Sequence, residues 1–445
     1  MRIRLLLKGV AEKLPAAVGR PLSWVPFSLR LGAGYPVTAR SIRNEERSTS
    51  VEIESRQLSR LLRVLNEAYE RVEFYRGFYR SKGFHPEQVR TLADWQRVPI
   101  VTKADMQGVP LGSRTARGAR GQKINTGGTS GEPLEFLVDH DAFAREWAHM
   151  HHLWKARGYR PWHVKLTLRG KHFDRTEKLR YNAVHNEYVA NANCPMSEVA
   201  DAVLALPQRV MVRWVHGYPS LVAEFAHALE SRPAGEVAGF RARLFGALLG
   251  SEFPAEFYRS AIERILTCNV VSWYGHSEMS ILAGETATGI YEAMSTYGYA
   301  EAVELADGVG ARLVGTSLHN LVHPFVRYDT GDVVEALTGR PCSLAFRVGE
   351  GRIGEFVCDR HGNKHALTAV IFGRHHPAFE RIKHVQVRDE GGGCVSLLVT
   401  PRSGDVDVES ILAGFHLEGL DIEWRMQIVE APVRTSHGKI RLKVS

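Results

Sequence analysis

Short β-rich runs alternate with amphipathic helical segments through the middle of this chain, and that alternation confines it to a layered α/β architecture. The runs are residues 164–168, 244–249 and 270–274, and apolar spacing marks helices over 139–157, 197–206 and 220–231. Strand–helix alternation favours largely parallel sheets with helices on their faces. Further on, residues 300–305, 312–316 and 333–336 read as a strand-rich section. The tail alternates strands over 382–388, 395–400 and 425–430 with a helix near 408–415, which predicts a small α+β domain after a boundary near 350–356. Upstream, Leu58, Leu61, Leu62, Leu65, Tyr69, Val72 and Tyr75 recur at three and four, predicting one amphipathic helix over 55–82. Residues 1–48, cut by Pro15, Pro21, Pro26 and Pro36 with Gly32 and Gly34, read as an extension in short pieces. The expected organisation is that extension, a large multi-subdomain core over 49–353, and a small domain over 354–445.

A chain of 445 residues exceeds the usual single core. Its net charge of +8 suits anionic substrates, nucleic acid or an anionic membrane. No aromatic-interleaved basic stripe or zinc-finger spacing promotes nucleic acid, so none is expected as a partner. Five scattered cysteines without a C-x-x-C pair fit reduced thiols in a cytoplasmic protein, with no metal held by thiolates. No apolar run approaches the roughly 18 residues of a spanning helix. Arg2, Arg4, Lys8 and Lys13 leave two readings of the N-terminus open, a helix packed on the body or weak contact with an anionic membrane. His149 and His152 stand at i, i+3 on a helical segment, but no carboxylate is placed beside them, so a metal site is not expected.

The stretch Asn125-Thr126-Gly127-Gly128-Thr129-Ser130-Gly131-Glu132-Pro133 sets glycines and hydroxyls between two apolar segments. Glycines allow close backbone approach, and hydroxyls beside N–H groups suit phosphate oxygens. The spacing is not that of the lysine-bearing phosphate loop. In order after it come Tyr274-Gly275-His276-Ser277-Glu278, Arg327-Tyr328-Asp329-Thr330-Gly331-Asp332, Gly351-Arg352 and Arg434-Thr435-Ser436-His437-Gly438-Lys439.

This ordered series resembles the adenylate-forming enzymes, the superfamily of acyl-CoA synthetases. Residues 69–76, 92–95 and 98–105 are similar to signatures of its phenylacetate–CoA ligase and CapK branch. The resemblance implies an AMP-forming acid–thiol ligase that uses ATP and Mg²⁺ to make an acyl-adenylate from an aryl or related acid. It then passes the acyl group to CoA. It also implies that the small C-terminal domain is mobile.

Residue by residue, the resemblance assigns Thr126, Gly127, Gly128, Thr129, Ser130 and Gly131 to the β- and γ-phosphates. Tyr274 stacks on adenine, with Gly275, His276 and Ser277 in the same nucleotide motif, and Glu278 holds Mg²⁺. Ser251 and Glu252 belong to an adenine-site turn, Asp332 takes the ribose hydroxyls, and Arg352 approaches ribose or phosphate. Lys439 is the catalytic cation between carboxylate and α-phosphate. His216 and Tyr218 line the acid pocket, although an ordinary core His–Tyr turn remains open. Arg327 reads either as a phosphate contact or as a structural partner of Asp329 or Asp332.

The chain departs from the family at Glu132, where a lysine is usual, and at Gly354, where an acid usually marks the hinge. An alternative keeps adenylation and passes the acyl group to an amine, a sugar or a carrier protein, as in polysaccharide or natural-product biosynthesis. A reading of another class is a non-catalytic nucleotide-binding or membrane-peripheral scaffold. Nothing in the sequence indicates the oligomeric state.

Overall fold

The computed structural model describes residues 14–125, 134–169, 171, 173–207, 209–305, 310–352, 356–362, 364–371, 376–402, 407–417, 420–434 and 440–444. The described residues form two compact units. One gathers those of Met1–Val25, Tyr159–Ser272 and Glu350–Ser445, and the other those of Pro26–Gly158 and Trp273–Gly349.

The first unit is built on a sheet ordered Leu179–Asn182, Glu187–Ala190, Val164–Leu168, Val212–Gly217, Gly246–Leu249 and the opening part of Asn269–Gly275. All neighbours are parallel except the first pair. Val164–Leu168 is buried along its whole length, as a parallel strand covered on both faces must be. Helices Met196–Leu204, Pro219–Glu230 and Glu256–Leu266 alternate with these strands in sequence. Val222, Phe225, Ile262 and Leu249 share one apolar core with Val385, Leu397 and Val399 of the C-terminal segment.

That segment carries a second sheet, Glu423–Ile428, Cys394–Pro401, Ile382–Gly391 and Lys443–Val444, with the helix Val408–Ala413. Its central hairpin turns at Gly391, Gly392 and Gly393, with φ of +81°, +62° and +78°, a run that only glycine adopts without strain.

In the second unit the sheet order is Gly298–Glu304, Ala311–Ser317, Tyr328–Leu337, Ala345–Arg352, Ile290–Ala293, Leu282–Ala287 and the end of Asn269–Gly275. The helix expected over 55–82 is two helices, Ser50–Arg71 and Glu73–Ser81. Val72 breaks it with an extended backbone (φ −112°, ψ 115°) and a fully buried side chain. The Phe74 N–H donates to the Ser113 carbonyl instead of continuing the helix. Among its described residues the extension holds one substantial helix, Gly34–Glu46. Pro36 is tolerated in its first turn, where the missing N–H has no intrahelical partner to lose. Among the described residues no helix is long and apolar enough to cross a membrane.

Candidate active site

Within the second unit, the strand Tyr328–Leu337 bulges near its start. Arg312 pairs with Val333 and Val314 with Asp329, so three residues, 330–332, oppose Leu313 alone. Gly331 supplies a φ of +77°. Asp329 Oδ1 accepts the Gly331 N–H at 2.9 Å, and the Thr330 hydroxyl donates to the Leu313 carbonyl at 2.8 Å. Bulges re-aim side chains. This one brings Asp332 onto Tyr274, whose hydroxyl donates to its carboxylate. The Tyr274 ring stands edge-on to Phe346 at 5.3 Å.

Four residues past Tyr274 the Glu278 carboxylate is held from both sides. Its Oε2 lies 3.0 Å from His276 Nδ1, and its Oε1 accepts the Tyr328 hydroxyl at 3.2 Å. His276 Nε2 is in turn 3.1 Å from Ser280 Oγ. Gly275 packs closely on Trp273, and Ser277 is exposed. Tyr274, His276, Glu278 and Asp332 are therefore assembled into one cluster by the fold.

In the first unit the parallel strands end side by side, the position at which open α/β sheets bind ligands. Val164–Leu168 leads into Arg169, Val212–Gly217 into Tyr218, and Gly246–Leu249 into Gly250-Ser251-Glu252. Arg169 Nη2 donates to Ser251 Oγ at 3.0 Å and sits 5.7 Å from the Tyr218 ring centroid. Burial raises the Tyr218 phenol pKa above its ordinary value, against the pull of Arg169.

Ser251 is itself in the left-handed region, φ +70°. His216 is buried with Nδ1 3.0 Å from the Leu248 carbonyl. Burial, reinforced by Arg169 and Lys165, holds its pKa well below the usual imidazole value, so the ring is neutral. Gly217 is needed because a Cβ there would stand 2.1 Å from the Leu168 carbonyl oxygen. Glu252 is committed to the protein: Oε2 accepts the Ser220 hydroxyl at 2.7 Å, and Oε1 accepts the Ile440 N–H at 3.0 Å.

The residues 126–131 and Lys439 lie outside the described residues. The strands that bracket the former, Gln122–Asn125 and Glu135–Val138, pair antiparallel with Asn125 opposite Glu135. Arg352 ends the strand Ala345–Arg352. Arg327 is buried and pairs with Glu301 at 3.0 Å, while its Nη1 donates to the carbonyls of Gln96 and Val98. It is thus a structural cation with a partner other than the two acids considered from the sequence. Asp329 pairs instead with Arg312 at 3.3 Å.

His149 spends both ring nitrogens on the Arg145 carbonyl and the Thr296 hydroxyl, and His152 faces Glu46. Among the described residues no group of three or more His, Cys, Asp or Glu is placed to hold a metal ion. Sequence reasoning missed Arg169, Ser280 and the use of Tyr328. Arg169 was within reach, because it follows a β-run just as Tyr218 and Gly250 do.

No family model matches the chain. The phenylacetate-coenzyme A ligase of Escherichia coli (strain K12) is 27% identical over 311 residues, covering 65% of this chain and 68% of that protein. Protein CapK of Staphylococcus aureus is 21% identical over 418 residues, covering 88% of this chain and 90% of its own. Among solved structures, 2-hydroxyisobutyryl-CoA ligase in the postadenylation state with R3-HIB-AMP superposes with a TM-score of 0.65 at 18% identity, over 88% of this chain and 90% of that one. The fold is that of the adenylate-forming ligases. The two relatives carry the names of the phenylacetate–CoA ligase and CapK branch that the sequence motifs resemble.

Proposed function

We propose that this protein is an ATP-dependent ligase that activates a carboxylic acid as its acyl-adenylate and transfers the acyl group to CoA. The observation that carries the reading is the Tyr274–Asp332–Glu278 cluster, assembled from motifs 58 residues apart, on a fold shared with an acyl-CoA ligase solved with an acyl-AMP. Relatives named phenylacetate-coenzyme A ligase support the thioester step.

In this reading Tyr274 presents a ring face to adenine. Asp332 takes the ribose hydroxyls, since a carboxylate offers two acceptor oxygens to two donors. Glu278 fits Mg²⁺: it is a mostly shielded carboxylate oriented by the His276 ring and the Tyr328 hydroxyl, and Mg²⁺ takes hard oxygen from one or two carboxylates. The ion, when bound, supplies neutralisation of phosphate charge. Thr126 to Gly131 would wrap the outer phosphates, and Ser251 with Glu252 would border the base.

Residues 354–445 act as the small mobile domain, and Lys439 places its ammonium between the acid and the α-phosphate. Support for that placement comes from its neighbours. Arg434 and Ile440 bridge one another. Arg434 pairs with Glu224, and the Ile440 N–H donates to Glu252, the residue that ends the candidate adenine turn. The five free cysteines fit a cytoplasmic setting.

The test is pyrophosphate release from ATP across aromatic, fatty and amino acids, with CoA, amines and a phosphopantetheine carrier offered as acceptors. One class of acid should stimulate release, and Lys439→Ala should slow it by on the order of 10²–10³-fold while ATP still binds. ATP binding with no acid-dependent release would refute the proposal and favour a scaffold. A second reading, transfer to an amine, sugar or carrier, is favoured by the relative named CapK, which matches more of the chain than the phenylacetate ligase does. The acceptor arms of the same assay separate the two.

A further inference from the structure

We propose that the amino-terminal edge of the parallel sheet in the first unit docks on an anionic lipid surface. Three turns enter three neighbouring strands there, Val164–Leu168, Val212–Gly217 and Gly246–Leu249. Each turn carries a large apolar side chain left in solvent: Trp162 is 65% exposed, Met211 47% and Phe245 47%.

The tips belong to one patch. The His163 ring bridges Trp162, at 6.1 Å, and Phe245, at 5.2 Å. The Arg213 guanidinium lies 4.7 Å from the Phe245 centroid and reaches Met211 Sδ at 3.3 Å and the Arg243 carbonyl at 3.1 Å. Arg160, Arg209 and Arg243 stand on the same turns, and Arg241 ends the helix that leads into the third. No aspartate or glutamate occurs over 147–173, 202–223 or 237–251. Five arginines and three apolar tips therefore share a surface whose own segments hold no acid.

The charge selects an anionic partner, and the tips select one that can take apolar side chains between its charges. Large exposed apolar patches with a polar rim mark interaction sites, and tryptophan with arginine suits the headgroup boundary of a bilayer. A second copy meeting the same patch across a two-fold axis would set arginine against arginine. Bases stacked along a strand need successive ring faces, whereas one of these tips is a thioether. The patch is remote in sequence from Arg2, Arg4, Lys8 and Lys13. It also lies at the opposite end of the strands from Arg169, Tyr218 and Ser251, so docking leaves the candidate ligand edge of this unit open.

The test is co-sedimentation of the full chain with phosphatidylcholine vesicles, with and without phosphatidylserine, at low and high salt. Trp162→Ser and the double variant Arg209→Glu/Arg243→Glu change side chains only. The backbone carbonyls of Trp162, Arg209 and Arg243 still accept from Asn186, Arg20 and Arg213. The wild type should bind the anionic vesicles in a salt-sensitive way. Each arginine at such a surface contributes on the order of five-fold, so the double variant should lose at least about 30-fold. Trp162→Ser should also weaken binding, Arg2→Glu/Arg4→Glu should retain it, and thermal melting should be unchanged throughout.

Wild-type binding by both patch variants would overturn the proposal, as would no vesicle binding at all or its loss with Arg2→Glu/Arg4→Glu alone. A dimer that Trp162→Ser dissolves, or binding to single-stranded oligonucleotide in place of vesicles, would overturn it too. None of these readouts depends on the ligase reading.

Discussion

Lys165 is the residue whose replacement should report most directly on how the first unit is held together. It lies opposite Glu187 in neighbouring parallel strands, and both side chains are buried. The ammonium donates to Glu187 Oε2 at 3.0 Å and to the His185 carbonyl at 2.9 Å. The remaining acceptor capacity of Glu187 is filled by Thr167 at 2.6 Å and Asn182 at 3.2 Å. Burial alone would push the Glu187 carboxyl up, but Lys165, His185 and Thr167 together hold it well below the carboxylate range.

Lys165→Met strands that carboxylate, and removing one partner of a buried pair costs about 3–5 kcal/mol. At about 1.36 kcal/mol per decade, the unfolding constant should rise roughly 150- to 5,000-fold. The pH dependence should also invert. With a depressed folded pKa, the wild-type glutamate contributes stability above its unfolded value near ~4.3 and loses it as pH falls through the folded value. In Lys165→Met the folded pKa is raised, so the deficit is full at neutral pH and narrows as acid protonates the group.

The assay is a reversible urea titration followed by far-UV circular dichroism at neutral pH and near pH 5, with Lys165→Met/Glu187→Gln as the paired control. The double variant should recover most of the loss, because an amide in place of the carboxylate keeps hydrogen bonds to Thr167 and Asn182 without a charge. A loss under about 1 kcal/mol, an equal loss at both pH values, or a double variant no better than the single one would refute the reasoning.

Two further outcomes are expected. Gly217→Ala puts a Cβ 2.1 Å from a backbone oxygen that cannot rotate away. It should cost about 1–3 kcal/mol in the same titration, and a neutral result would mean that the two strands can part freely. His276→Phe removes the imidazole that holds Glu278 and should weaken divalent-ion binding by about 10–100-fold. Mn²⁺ binding in the presence of ATP, followed by electron paramagnetic resonance, checks it, and unchanged affinity would separate His276 from any metal role.

How far the sequence could be read depended on whether a feature reports a face or a neighbour. The run 164–168 coincides with the observed strand because full burial makes it apolar apart from Lys165 and Thr167, two polar residues whose partners come from the next strand. The strands near 382–388 and 395–400 were legible as apolar runs of the tail, and the structure turns between them at three glycines. Periodicity could not see the break at Val72, since the helical pattern continues in phase on both sides and the cause is a distant carbonyl on Ser113. Arg327 carried no sign of Glu301, which approaches from another strand of the sheet. Glu252 likewise gave no hint that its oxygens belong to Ser220 and Ile440. Motif order gathered Tyr274, Glu278 and Asp332 because those side chains share a bulge and a strand end. It did not reach Arg169, which belongs to none of the motifs and is marked only by following the run 164–168.

The cluster around Glu278 also excludes a competing chemistry. Ser280 Oγ to His276 Nε2, and His276 Nδ1 to Glu278, is the connectivity of a nucleophile, a base and an orienting acid. A nucleophile must meet its substrate, and Ser280 is 0% exposed. Two glycines seal it in: a Cβ at Gly298 would stand 1.8 Å from the Ser280 carbonyl oxygen, and one at Gly315 would stand 2.3 Å from its hydroxyl. Exposure rises the other way along the relay, to 6% at the His276 side chain and 12% at Glu278. The hydroxyl therefore serves as the anchor. His276 Nε2 lies 3.1 Å from that hydroxyl, its Nδ1 faces one Glu278 oxygen, and the Tyr328 hydroxyl donates to the other. What this arrangement delivers toward solvent is an oriented carboxylate, which suits a ligand for a hard cation and does not suit an attacking alcohol.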